Sequence, residues 1–273
     1  NYHAPVIHVK DASKSVGVVS NLLSSSLKND FVDQVKKEYE ELKNSYLQAK
    51  EKTVYVTLEE ARSNKLNINW SNETIVEPRF TGIKTYSDYP LEEIRDYISW
   101  VFFFVVWQLR GKYPDILNDP KFGEEARKLF ADANELLERV ITGKLLKANG
   151  VIAIFPANSM GDDIEVYSDI KRSRVIARFC NLRNQELKQD GLPNLCLSDF
   201  IAPLSSGKID YLGAFAVTAG LGIDQLLDEF VKKHDDYQGI MIKALADRLA
   251  EAFTELIHLK IRKEIWGYAP NES

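Results

Sequence analysis

The feature that most constrains the fold is a set of four short β-type runs separated by short connections. The runs occupy residues 151–155, 164–167, 175–180 and 211–218. A connection as short as residues 157–163 favours antiparallel neighbours, because parallel strands need a crossover of a dozen or more residues. Gly161-Asp162-Asp163 suits a turn there, since Gly and Asp tolerate unusual backbone angles. These runs predict an antiparallel sheet.

Helical periodicity surrounds this strand-rich zone. Apolar residues recur every three or four positions from Asp119-Pro120 to about residue 142, and again over residues 223–233 and 236–265. Asp119 is expected to be the N-cap of the first of these helices, with Pro120 at its first position. Helices gathered around one antiparallel sheet define an α+β fold, which is the fold class that we predict.

Residues 100–107 form the longest apolar run, and helical spacing precedes them from residue 91. Because the run is apolar on every side, we expect it to be buried, either as a helix or as a strand. Core packing is the ordinary role of such a run, although its aromatic residues leave a cofactor-binding role open. The run is far shorter than the roughly 20 residues of a membrane span, so no membrane partner is expected.

The first part of the chain has a different character. Residues 5–9 are apolar and β-branched, which predicts a strand, and Asp11-Ala12-Ser13 can cap a helix that follows. Residues 28–50 have the spacing of an amphipathic helix, whereas residues 51–90 are polar and irregular. We therefore predict an N-terminal helical appendage, residues 1–50, and a main domain, residues 51–273.

Composition excludes several function classes. The net charge of −5 argues against sequence-independent binding of nucleic-acid phosphates, which needs clustered Lys and Arg. Cys180 and Cys196 are too few and too far apart for a disulfide framework, so we expect reduced thiols and a cytoplasmic location. No two histidines have metal-ligand spacing and no nucleophile motif occurs, so neither a metal site nor a catalytic residue is predicted.

Three groups of polar residues have two interpretations each. Lys243, Asp247, Glu251 and Glu255 share one helix face, which is either a solvated face with ion pairs or the lining of a cation site. His234-Asp235-Asp236 is either an acid/base cluster or the capped start of a helix. Arg110 and Lys112 lie in a predicted turn, where they are either simply solvated or face an acidic partner.

Motifs along nearly the whole chain resemble the activation domain of cobalamin-dependent methionine synthase. The matching stretches are Val56-Thr-Leu-Glu-Glu-Ala-Arg62, Trp107-Gln-Leu-Arg-Gly-Lys-Tyr-Pro114, Phe155-Pro-Ala-Asn158, Asp162-Asp-Ile-Glu165, Cys196-Leu-Ser-Asp-Phe-Ile-Ala-Pro203, Asp210-Tyr-Leu-Gly-Ala-Phe-Ala-Val217, His234-Asp-Asp-Tyr237, Lys243-Ala-Leu-Ala-Asp-Arg-Leu-Ala-Glu-Ala-Phe253 and Trp266-Gly-Tyr-Ala-Pro-Asn271. Residues 7–18 look like the last strand and helix of the family's cobalamin-binding domain. The cobalt-ligating motif Asp-x-His-x-x-Gly is missing, so cobalamin is expected in the preceding domain and not in this stretch.

The resemblance implies a fold and a function. The family fold is a curved antiparallel sheet flanked by helices. The family module belongs to a methyltransferase and supports reductive methylation of cob(II)alamin, with S-adenosylmethionine as methyl donor and an electron from flavodoxin or a related flavin reductase. Its partners would be the cobalamin-binding domain of the same polypeptide and that acidic flavoprotein. The alternative is a degenerate docking module that binds both partners without S-adenosylmethionine.

Two ligand positions are implied by the family motifs. Glu251 matches a glutamate of the S-adenosylmethionine site, and Ser99 stands where the family usually has an aspartate that binds the ligand's ammonium group. Phe102 and its neighbours replace a usual x-Pro-Phe-Phe stretch. The chain ends before the family's Arg-Pro-Ala-Pro-Gly-Tyr segment, so we predict an activation domain truncated at its C-terminal end that binds S-adenosylmethionine weakly.

Overall fold

A computed structural model of the chain describes residues 5–9, 12–52 and 54–272. The described residues fall into two compact units. One unit is drawn from Asn1–Leu66 and Arg183–Cys196, and the other from Asn67–Leu182 and Leu197–Ser273. This division follows packing within the chain, and the family boundary near residue 50 stays a prediction.

The first unit contains three helices, namely α1 (Ala12–Leu23), α2 (Lys28–Lys52) and α3 (Leu58–Ser63). The long helix predicted from residue 28 is confirmed as α2, and α1 packs against it. The expectation that residues 51–90 are irregular is wrong at α3, and also at Gly82–Tyr86, which form a strand of the second unit. A capping box begins this helix, because the Thr57 hydroxyl accepts from the Glu60 N–H while the Glu60 carboxylate accepts from the Thr57 N–H.

The predicted strand at residues 5–9 is wrong, because these residues have no regular secondary structure. A strand needs a neighbour for its backbone groups, and none of the described residues pairs with this stretch as a strand. The His8 N–H instead donates to the Tyr39 hydroxyl over 2.8 Å. Asp11, the expected cap, lies outside the described residues.

The second unit is built on a five-stranded antiparallel sheet, which confirms the predicted topology. Its strands are β1 (Gly82–Tyr86), β2 (Lys147–Met160), β3 (Asp163–Tyr167), β4 (Val175–Cys180) and β5 (Asp210–Leu221). The long strand β2 pairs with β5 along one edge and with β1 and then β3 along the other, and β4 pairs with β3. Gly161 forms the expected turn between β2 and β3, with a φ of 65°.

Helices flank this sheet, as the α+β prediction requires. They are α4 (Leu91–Arg95), α5 (Trp100–Val106), α6 (Gly123–Thr142), α7 (Ile223–Lys232) and α8 (Asp236–Lys260), which ends in a π-helical turn at Ile261–Ile265. The helix α8 contacts β5, α4, α5, α6 and α7, so it is the central element of the core. Its fully buried side chains include Leu245, Leu249 and Phe253.

The predicted start of α6 is three residues too early. The Asp119 carboxylate does accept backbone N–H groups, from Lys121 and Phe122 at 2.8 and 2.9 Å. Those bonds, together with the Gly123 N–H donating to the Asp119 carbonyl, close a separate turn at residues 119–122. The helix therefore begins at Gly123 and not at Pro120.

The apolar run at residues 100–107 forms the helix α5, but the prediction that it is buried on every side is wrong. Phe103 and Phe104 are fully buried, whereas Phe102, Val105 and Val106 are 54%, 53% and 52% exposed. A helix that covers one side of a core necessarily turns its other side outward. Among the described residues, no helix combines the length and the apolar composition that a membrane crossing needs.

Candidate functional site

Ser99 lies at the N-terminus of α5, where it is the N-cap residue with an extended backbone. Its half-buried side chain makes no capping hydrogen bond, so the hydroxyl is not committed to the helix end. The helix then presents Phe102, three residues later and therefore on the same side as Ser99. Ser99 is thus placed at the start of an exposed apolar helix face.

Arg248 on α8 meets this face of α5. Its guanidinium carbon lies 5.6 Å from the centroid of the Phe102 ring, which is the geometry of a cation–π contact. The Arg248 side chain is only 13% exposed. Two contacting helices therefore bring a largely buried cation against an exposed aromatic ring, one helical turn from Ser99.

Glu251, the second expected ligand residue, is held by the same arginine. The Arg248 guanidinium donates to the carboxylates of Glu251 and Asp247, the latter over 2.6 Å. The Glu251 side chain remains 42% exposed, so its carboxylate is open to solvent on one side. The Arg248 Nε atom is buried and has no hydrogen-bond partner within the described part of the chain.

The helix α8 does present carboxylates to solvent, but the cation that pairs with them is not the one that the sequence hypothesis included. Lys243, Asp247 and Glu255 are exposed, which agrees with a solvated face. The cation that pairs with the carboxylates is Arg248, which lies outside the four-residue spacing of that hypothesis. The sequence does contain a signal for this pair. Arg248 and Glu251 are three residues apart, and residues three apart are also neighbours on a helix.

Tyr89 and Phe253 fix the helix that precedes Ser99 against α8. Their ring centroids are 4.9 Å apart, and Phe253 is fully buried. The Tyr89 hydroxyl donates to the Glu93 carboxylate of α4 over 2.5 Å. Burial and this carboxylate both raise the pKa of Tyr89 well above its usual range, so the phenol stays protonated. Because α4 ends only four residues before Ser99, this contact helps to position it.

The other sequence-predicted residues lie elsewhere. Arg110 and Lys112 are both exposed in the segment after α5, which leaves them accessible to a partner. Asp235 is the N-cap of α8 and accepts from the Gln238 N–H over 3.0 Å, which confirms a capped helix junction at residues 234–236. Among the described residues, no group of three His, Cys, Asp or Glu side chains is arranged to hold a metal ion.

The site that these contacts define consists of Ser99, Phe102, Arg248, Asp247 and Glu251. Its two carboxylates outnumber its one guanidinium, so its net charge favours a cation. The ring of Phe102 offers an aromatic face, and Ser99 offers a neutral hydroxyl. This set of groups fits a ligand that carries positive charge and a flat ring. It lacks a free side-chain cation for a ligand's carboxylate, because Arg248 is already paired.

Comparisons with known proteins agree with the sequence resemblance. Residues 90–273 match the family model described as vitamin B12 dependent methionine synthase, activation domain. The structure is also similar to a crystal structure of the MetH reactivation domain bound to AdoHcy, with a TM-score of 0.77 and 50% sequence identity. That match covers 80% of this chain and 67% of the other chain.

Proposed function

The chain belongs to the activation-domain family of vitamin B12-dependent methionine synthases, and we propose that it binds S-adenosylmethionine within such an enzyme. When bound, S-adenosylmethionine supplies the methyl group that restores methylcobalamin from the inactive cob(II)alamin form. The cobalamin is held by the preceding domain of the same polypeptide, and the electron comes from flavodoxin or a related flavin reductase. The module is in this view a cytoplasmic part of a methyltransferase.

The observation that carries the proposal is the cluster formed by Phe102, Arg248 and Glu251 next to Ser99. S-adenosylmethionine has a cationic sulfonium, an ammonium group and a flat adenine. The carboxylates of α8 suit the positive charges, and an exposed aromatic ring suits the flat ring. Over the match, which covers 80% of this chain, half of the residues are identical to those of a relative solved with AdoHcy, and AdoHcy lacks the sulfonium methyl group of S-adenosylmethionine.

The residues of this chain would bind and orient the methyl donor and would not exchange a proton with it. Both carboxylates of the cluster are paired with Arg248, and Glu251 is the less exposed of the two, 42% against 69% for Asp247. The arginine occupies one side of the Glu251 carboxylate, so a ligand cation would approach from its exposed side. Ser99 contributes a neutral hydrogen bond where a second carboxylate would make a charge-assisted one.

The second candidate is a docking module that no longer binds S-adenosylmethionine. Ser99 in place of a carboxylate favours it, as does the commitment of Glu251 to Arg248. In that case the exposed Arg110 and Lys112 and the apolar side of α5 would serve only protein partners. The two candidates differ in one measurable property, namely the affinity for S-adenosylmethionine.

Calorimetry with S-adenosylmethionine, on the chain and on two variants of it, distinguishes the two candidate functions. Glu251→Gln should weaken binding by about tenfold, because loss of a charge-assisted hydrogen bond costs on the order of 1.5 kcal/mol or more. Glu255→Gln is the matched control, since Glu255 is exposed one turn further along the same helix. No binding up to millimolar ligand would favour the docking module, whereas binding that both variants weaken equally would show that Glu251 is not the ligand contact.

A further inference from the structure

A cavity lies beside the start of α8. It has a volume of about 330 Å³, and its lining residues are Trp107, Glu125, Lys128, Leu129, Asp132 and Tyr237. Tyr237 and Glu251 are separated by fourteen residues, or roughly 21 Å along a helix at 1.5 Å per residue. None of the residues that line the cavity belongs to the cluster around Arg248. It is within the size range of pockets that bind small molecules, roughly 300–1,000 Å³.

Two aromatic side chains form one wall of this cavity. The ring centroids of Trp107 and Tyr237 are 5.3 Å apart, with their planes tilted by 59°. The Tyr237 hydroxyl donates to the Asp132 carboxylate over 2.8 Å, which fixes the tyrosine relative to α6. The wall is thus held by contacts between three elements, the end of α5, α6 and the start of α8.

The helix α6 supplies the charged groups. Glu125, Lys128 and Asp132 recur at three- and four-residue steps, so they lie on one face of the helix. Leu129 lies between them and is buried. The cavity therefore combines two carboxylates, one ammonium group, an apolar floor and an aromatic wall.

We propose that this cavity binds a free α-amino acid with a small apolar side chain. The carboxylates of Asp132 and Glu125 would receive the ligand's ammonium group. The Lys128 ammonium group would donate to its carboxylate. The apolar side chain would lie against Leu129 and the aromatic rings. A zwitterion can pair with both the carboxylates and the ammonium group of the cavity, whereas a simple amine or a simple acid can pair with only one of them. This proposal does not rest on S-adenosylmethionine binding.

The test compares three probes by calorimetry on the full chain. L-Leucine carries both charged groups, 3-methylbutylamine lacks the carboxylate, and 4-methylpentanoate lacks the ammonium group. L-Leucine should bind at least tenfold more tightly than either of the other two, since each loses a charged hydrogen-bond partner. Equal binding of the amine would overturn the proposal in favour of a site for a cationic side chain of a protein partner. Absence of binding by L-leucine at 10 mM would also overturn it.

Variants locate the binding in this cavity. Glu125→Gln should weaken L-leucine binding severalfold, whereas Glu124→Gln, the exposed neighbour outside the lining, should leave it unchanged. Trp107→Ala removes one of the two aromatic rings of the wall, so it should also weaken binding of L-leucine. If that variant is poorly folded by circular dichroism, the exposed Glu125 and Glu124 pair decides the question. L-Leucine affinity that Glu125→Gln does not alter contradicts the proposed site.

Discussion

The guanidinium carbon of Arg248 lies 5.6 Å from the centroid of the Phe102 ring. This contact joins α8 to α5 at the point where the same guanidinium binds the Glu251 carboxylate. The Glu251 carboxylate is therefore not an isolated charge, because Arg248 already neutralises part of it. A cationic ligand that reaches Glu251 must share the carboxylate with Arg248 or displace it.

Arg248→Gln tests this relationship. Removal of the guanidinium leaves Glu251 and Asp247 without their cation, so affinity for S-adenosylmethionine should rise severalfold. The free energy of unfolding should fall by about 1–3 kcal/mol, because ion pairs with partly exposed carboxylates contribute at most about 1 kcal/mol each and the cation–π contact of the largely buried guanidinium up to about 2 kcal/mol. Calorimetry and urea unfolding measure the two effects. A fall in affinity would show instead that Arg248 itself contacts the ligand.

Ser99→Asp should strengthen binding of S-adenosylmethionine by about ten- to a hundredfold. The new carboxylate can accept a charge-assisted hydrogen bond from the ligand's ammonium group, worth about 1.5–3 kcal/mol. Ser99→Asn is the matched control, because asparagine has nearly the shape of aspartate but no charge. If the asparagine variant gains as much affinity as the aspartate variant, charge at this position is not the cause.

Periodicity predicted most of the fold because its signals are local. The four strand runs and the helices at residues 223–233 and 236–265 were found where apolar residues recur with a regular period. The strand β1 gives almost no such signal, since Gly82–Tyr86 is short and contains Lys84 and Thr85. Its pairing with β2 is a long-range contact, which a local pattern cannot reveal.

The candidate site was harder to predict for the same reason. Ser99 and Glu251 were identified by resemblance to a family motif, and their positions in the sequence do not reveal a shared surface. The contact between Phe102 and Arg248 depends on how α5 crosses α8, which the sequence pattern does not specify. The exposed side of α5 was also missed, because a uniformly apolar run has no polar residue to mark its outer face.

Gly150→Ala should destabilise the second unit. A Cβ atom at Gly150 would lie 3.2 Å from the Phe253 ring, which is buried in the core and cannot move freely. Overpacking of this kind costs about 1–3 kcal/mol, measurable by urea unfolding. Gly220→Ala on β5 is the control, because its Cβ would lie at an ordinary 3.5 Å from Ala246. Similar destabilisation by both variants would rule out the Phe253 contact as the cause.

The Tyr237 phenol should lose its proton at a higher pH than an ordinary tyrosine. Burial, followed by the hydrogen bond and the charge of Asp132, raises the pKa of Tyr237 to about 12. The unfolded pKa is about 10, so the associated stability is complete below pH 10 and is lost as the pH rises towards 12. The difference in phenolate absorbance between the wild-type chain and Tyr237→Phe isolates this group. A difference that develops fully near pH 10 contradicts the prediction.

Lys112→Glu should slow association with a flavodoxin-type protein. Lys112 and Arg110 are both exposed after α5, and the proposed electron donor is acidic. Opposite charges mainly raise the rate of encounter, so reversal of one charge should lower the association rate severalfold at low salt. The effect should shrink near 0.15 M salt, where the Debye length is about 8 Å. Surface plasmon resonance at several ionic strengths measures the association rate.

Lys171→Glu, an exposed charge reversal on the hairpin between β3 and β4, is the control for net charge alone. An association rate that falls equally for both variants would show that the surface around Arg110 and Lys112 has no special role in the encounter.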